Sequence, residues 1–87
     1  MKIRGEFVVR QVLDSYIAVP IGQTALHLNG MVMLNEVSRV IWTCLEREMT
    51  VEAIVTAVTD AFEMDAAEAQ ADVLAFIHQL RDAHLLE

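Results

Sequence analysis

Few side chains in this 87-residue chain are of types that do chemistry. Cys44 is the only cysteine. Nucleophilic catalysis needs a base beside the nucleophile and a third group to orient that base. Val37, Val40, Ile41, Cys44 and Leu45 follow the i, i+3, i+4, i+7, i+8 pattern of one helix stripe. The thiol therefore falls on a buried face, where cysteine behaves as a small hydrophobe, not in the electropositive, partly exposed setting of a reactive one. His78 and His84 stand six positions apart, about 120° around a helix. His78 and Asp82 stand at i, i+4 and could share a metal, but two ligands make a poor site and an exposed polar pair is the commoner arrangement. His27, close before Asn29-Gly30, reads as a half-exposed strand residue. The 13 carboxylates follow no spacing that selects a catalytic pair. There is no glycine-rich phosphate loop, no CxxC and no HExxH. The pattern argues against an enzyme and implies no metal or cofactor.

The charge balance narrows the partners. The net charge is −7. The six basic residues, Lys2, Arg4, Arg10, Arg39, Arg47 and Arg81, form no patch. Nucleic-acid affinity rests mainly on neutralising phosphates, so a neutral or basic protein or peptide fits better than DNA or RNA. No apolar run approaches the roughly 18 residues that a membrane span needs. The opening "MKIRGEFVV" lacks the apolar core and small-residue cleavage site of a signal peptide. A single cysteine gives no internal disulfide, and the expected location is cytoplasmic.

The elements that position these residues follow from composition. The length suits one domain spanning 1–87. Before Asn35, β-branched residues, all three glycines and the only proline dominate; after it come Ala, Leu, Glu and Asp, with no Gly or Pro. Strands followed by helices make an α+β pattern. "EFVVRQV" and "SYIAVPI" read as strands joined at Leu13-Asp14. Pro20 cannot donate a ladder hydrogen bond, so its strand lies at an edge or ends there. "TALHL" and "MVML" flank Asn29-Gly30, a strong signal for a tight hairpin, with "TALHL" as a short fourth strand or an irregular approach. Three helices follow. The first is capped by Asn35. The second starts at Thr50 and buries Val51, Ile54, Val55, Val58 and Phe62. The third starts at Asp65, with Glu68 three residues on, and buries Val73, Phe76, Ile77 and Leu80 before ending near Ala83. The expected fold is winged-helix-like, with a small three-stranded antiparallel sheet followed by three α-helices.

One strand in this plan is unusual. Met31 and Met33 share one face and Val32 and Leu34 the other, so both faces are apolar. Three helices can cover one face of so small a sheet. Either the long third helix wraps over the rest and a homodimer completes the cover, or a peptide adds a strand to an exposed edge, using unpaired N–H and C=O groups for affinity. On the third helix Leu74 lies about 100° from Val73, off the core stripe, with Gln70, His78 and Arg81 on the same side. An off-stripe leucine is usually no more than an exposed leucine, since apolar surface is common, but such a face would also suit one wall of a peptide groove.

These elements resemble the PqqD family. The resemblance is carried by a strand ending in Leu34-Asn35-Glu36, by Ile41-Trp42 in the next helix, and by Thr50-Val51-Glu52-Ala53-Ile54. It is completed by the acidic helix Ala71-Asp72-Val73-Leu74-Ala75-Phe76 and the closing Leu85-Leu86. It covers residues 29 to 87 well and the first 28 more loosely, where "SYIAVPIG" also fits. The resemblance implies a RiPP recognition element, a chaperone that binds the leader of a ribosomally made precursor peptide as an added β-strand. The leader is then presented to a modifying enzyme, often a radical S-adenosylmethionine enzyme, as in pyrroloquinoline quinone biosynthesis. The implied contacts are Met31, Val32, Met33 and Leu34 on the third strand, and Gln70, Leu74, His78 and Arg81 on the third helix. Where the family commonly has a glycine before the closing leucines, this chain has His84.

Two other classes share the element order. A winged-helix transcription regulator needs a basic recognition helix. Between Thr50 and Ala83 the chain offers Arg81 alone against Glu52, Asp60, Glu63, Asp65, Glu68, Asp72 and Asp82. A homodimeric structural module, with the apolar strand packed on its twin, is the third reading.

Overall fold

The computed structural model describes residues 1–28 and 30–87. The elements run β1 (Phe7–Val12), β2 (Ser15–Pro20), α1 (Gly22–His27), β3 (Val32–Leu34), α2 (Glu36–Cys44), α3 (Val51–Ala61) and α4 (Ala66–Asp82). This is the expected α+β class, with a three-stranded antiparallel sheet in the order β1-β2-β3. Two compact units divide the chain: Gly5–Arg39, and Met1–Arg4 with Val40–Glu87.

In the Gly5–Arg39 unit, β1 and β2 pair from Phe7↔Pro20 to Val12↔Ser15. The two-residue turn between them takes Leu13 to φ 56, a left-handed backbone that L-residues adopt at a cost. β2 is the central strand, and Ala18 at its middle is fully buried. Pro20 is the last residue of β2, consistent with its missing donor.

The stretch after β2 departs from the expected strand. "TALHL" belongs largely to α1, a six-residue helix with no buried residue. Among the described residues β2 has β1 on one side and β3 on the other, so a strand returning here finds no free edge of β2. Gly22 opens α1 at φ +58, a left-handed backbone that glycine adopts freely. The Leu28 N–H donates to the Thr24 carbonyl at 3.0 Å, and the Glu6 N–H donates to the Thr24 hydroxyl at 2.8 Å. Consequently β3 pairs with β2 (Tyr16↔Leu34, Ile17↔Met33, Ala18↔Val32), not with residues 24–28 across the expected hairpin. Asn29, half of that turn signal, lies outside the described residues. His27 is exposed at the end of α1, not half-exposed in a strand.

The passage from β3 into α2 is closed by a reciprocal cap. Asn35 Oδ1 accepts from the Ser38 N–H at 2.8 Å, and Ser38 Oγ accepts from the Asn35 N–H at 2.8 Å. Two otherwise orphan donors are thereby satisfied.

In the other unit, the caps read from sequence are in place. The Thr50 side chain accepts from the Ala53 N–H at 3.2 Å. Asp65 Oδ1 accepts from the N–H groups of Ala67 and Glu68 at 2.8 and 3.0 Å. Ile41, Trp42, Leu45, Ile54, Val58, Val73, Ile77 and Leu80 are among its buried residues. Trp42 lies outside the five-residue stripe assigned to its helix, and it is the largest of the fully buried side chains. The α4 C-terminus forms a Schellman motif: the Leu85 N–H donates to the Leu80 carbonyl at 2.9 Å and the His84 N–H to the Arg81 carbonyl at 3.0 Å. His84 takes the left-handed position of that motif at φ 61. Beyond it Leu85 and Leu86 are buried, and Ile3 bridges to Leu86 in antiparallel fashion. The Arg4 N–H donates to the Leu85 carbonyl at 2.7 Å.

Candidate functional site

β3 resolves the two-sided strand into an inward and an outward face. Leu34 is 3% exposed, whereas Met33 is 61% and Met31 57% exposed. Val32, on the face of Leu34, is half-buried. Large apolar side chains at successive same-face positions thus stand in solvent, and they stand on an edge. Among the described residues β3 is paired only with β2. The backbone groups that point away from β2 meet no neighbouring strand there.

β1 is the other edge of this sheet, and it differs chemically. Arg10 and Gln11 are exposed on it, and a charged side chain on an edge discourages strand addition. From Gly30 to Leu34 there is no charge. The edge open to an added apolar strand is therefore β3.

The four residues expected on the third helix fall on α4 and are all exposed. Spacings of four, four and three from Gln70 through Leu74 and His78 to Arg81 keep them on one flank. Leu74, 38% exposed, is the one large apolar side chain there. Ala67 and Ala71 fill the same flank with small side chains, which the wheel that singled out Leu74 also identifies. Leu26, 74% exposed on α1, is a further apolar side chain in solvent that the sequence reading did not single out.

Cys44 is half-buried, and burial pushes its thiol up, an effect that the nearby charge of Arg47 partly offsets. A thiol held protonated is a weak nucleophile. Among the described residues no three His, Cys, Asp or Glu side chains gather as metal ligands. No helix among them is long and apolar enough to cross a membrane.

The family model of coenzyme PQQ synthesis protein D (PqqD) matches residues 22–86. No curated protein matches the chain. A solved structure, TbiB1 in complex with the TbiA(beta) leader peptide, is similar over 100% of this chain and 95% of its own length, with 25% identity and a TM-score of 0.73.

Proposed function

The chain belongs to the PqqD family, and from that premise we propose that it is a non-catalytic module that binds the leader of a ribosomally made precursor peptide. The observation that carries this reading is the open, uncharged β3 edge beside solvent-exposed Met31 and Met33. An added strand would satisfy the outward backbone groups of Met31 to Leu34 and bury the methionines, whose flexible thioethers adapt to varied side chains. Leu34 takes part through its backbone, since its side chain belongs to the core. The leader bound to the similar TbiB1 supports the same class of ligand.

The exposed α4 flank of Gln70, Leu74, His78 and Arg81 is the second group of contacts in this proposal. Residues 1–87 act together as one peptide-binding domain, in the cytoplasm. The bound precursor is handed to a modifying enzyme, such as a radical S-adenosylmethionine enzyme, which supplies the chemistry that this chain's residues do not. Pairing of two copies through the same β3 edge is the competing use of that edge.

An amide NMR titration of the full chain tests the proposal. The titrant is a synthetic leader from the short precursor gene nearest its own. Saturable shifts at Met31 to Leu34 are expected, with shifts along Gln70 to Arg81 scored separately. Absence of shifts at high peptide concentration, together with a dimer by sedimentation, would assign the edge to a second copy and sink the leader reading.

A further inference from the structure

Two of the five methionines are exposed, and they are neighbours at the β3 edge. Met31 is 57% and Met33 61% exposed, whereas Met1, Met49 and Met64 are half-buried. A peroxide must reach the sulfur to oxidise it, so exposure sets these two ahead of the other three.

The setting of the exposed pair is apolar. Ile17 on β2 is the registered partner of Met33, and cross-strand partners share a face. Val19, two residues along β2, and Val8, its registered partner on β1, continue that face. All three are half-buried, and none of their side chains carries a hydrogen-bond donor. The charged donor of the row, Arg10, stands on β1, one strand beyond Ile17.

Such a face suits a thioether and does not serve a sulfoxide. In the free chain water solvates a sulfoxide oxygen at either position, and the fold keeps its stability. Under an added strand that oxygen loses water and gains no donor from Ile17 or Val19. An acceptor buried without a partner opposes binding.

We propose that Met31 and Met33 are a modification site for hydroperoxides, through which oxidation weakens leader binding without unfolding the chain. The proposal rests on the leader-binding reading above. A sulfur lone pair attacks one oxygen of the hydroperoxide. The S–O bond forms, the O–O bond breaks, and the other oxygen departs with the proton as water or an alcohol. Sulfur loses two electrons and the peroxide gains them. A thiol-dependent sulfoxide reductase reverses the change, releasing the oxygen as water while two thiols become a disulfide. The effect runs both ways, since a bound leader covers the two sulfurs and slows their oxidation.

The test treats the full chain with hydrogen peroxide, removes the peroxide, and then titrates in the synthetic leader by calorimetry. Peptide mapping by mass spectrometry is expected to find an added oxygen on Met31 and Met33 several-fold sooner than on Met1, Met49 and Met64. At that stage the thermal melt is unchanged, while the leader binds about tenfold more weakly. Methionine sulfoxide reductase restores the affinity, and prior saturation with leader slows oxidation of both residues several-fold. The double variant Met31→Leu, Met33→Leu lacks both sulfurs; whatever affinity it starts from, peroxide leaves that affinity where it was. Suppose instead that both residues carry sulfoxide and the leader binds as before, that the melt falls in step with affinity, or that peroxide weakens the double variant as much as the parent. Any of these overturns the inference and leaves the leader reading standing. If the untreated chain does not bind the leader, both fall.

Discussion

The Arg39 guanidinium lies over the Tyr16 ring, 4.9 Å from its centroid. Tyr16 is paired in register with Leu34, the last residue of β3, and the Arg39 N–H donates to the Asn35 carbonyl in the first turn of α2. The contact thus ties the start of α2 to β2 at the end of β3, where the chain leaves the sheet. A half-buried cation over an aromatic face is worth about 0.5–2 kcal/mol. Arg39→Lys keeps the charge but loses the flat stacking surface.

In a double-mutant cycle on Tyr16→Leu and Arg39→Lys, we expect a coupling of about 1 kcal/mol in urea unfolding. Additive effects would show that the contact contributes nothing beyond each residue's own packing.

Neighbouring residues of β3 should respond in opposite ways. Met33 is exposed and Leu34 buried. Met33→Lys is expected to change stability by no more than about 0.5 kcal/mol while weakening leader binding at least tenfold, since it charges the edge. Leu34→Ala should cost about 2–4 kcal/mol in unfolding free energy through the cavity that it leaves. Calorimetric titration of the leader beside denaturant melts separates the two.

The left-handed positions make a third pair of outcomes. His84→Gly should stabilise the chain by about 1 kcal/mol, because glycine adopts φ 61 without the Cβ penalty and His84 is exposed. Gly5→Ala should destabilise by about 1–3 kcal/mol. Gly5 sits at φ +93, and an added Cβ would stand 2.6 Å from the Thr24 hydroxyl oxygen, the acceptor for the Glu6 N–H. Thermal melts of the two variants beside the parent chain check both signs.

Cys44 provides the pH test. Burial raises its folded pKa above the unfolded value. The neutral thiol therefore contributes stability that is present below the ordinary thiol pKa of about 8.5 and lost as pH rises through the folded value. Alkylation by iodoacetamide at pH 8 should run several-fold slower in the folded chain than after urea unfolding, and accelerate with pH. Equal rates in both states would show that the thiol is not shielded.

Where local chemistry decides structure, residue types were a sufficient guide. Asn35, Thr50 and Asp65 cap their helices because each offers a side-chain acceptor to orphan N–H groups, a purely local matter. The inward residues of the last helix, Val73, Phe76, Ile77 and Leu80, follow from period alone. Trp42 was missed because one stripe describes a helix packed on one side, and a wide buried face holds more than a stripe.

The sequence by itself determined the α+β class, the helix caps, the acidic charge that argues against nucleic-acid binding, and the pattern that marks the PqqD family. Each depends on residues near one another in the chain, or on totals. Tertiary structure decided that β3 pairs with β2 and, among the described residues, leaves its other edge open, that residues 22–27 turn as a helix, and that Met33 faces water while Leu34 does not. An alternating strand with two apolar faces is symmetric to local rules, and only its partners choose which face is buried. Which edge remains free is likewise a property of the assembled sheet, and on that edge the proposed function rests.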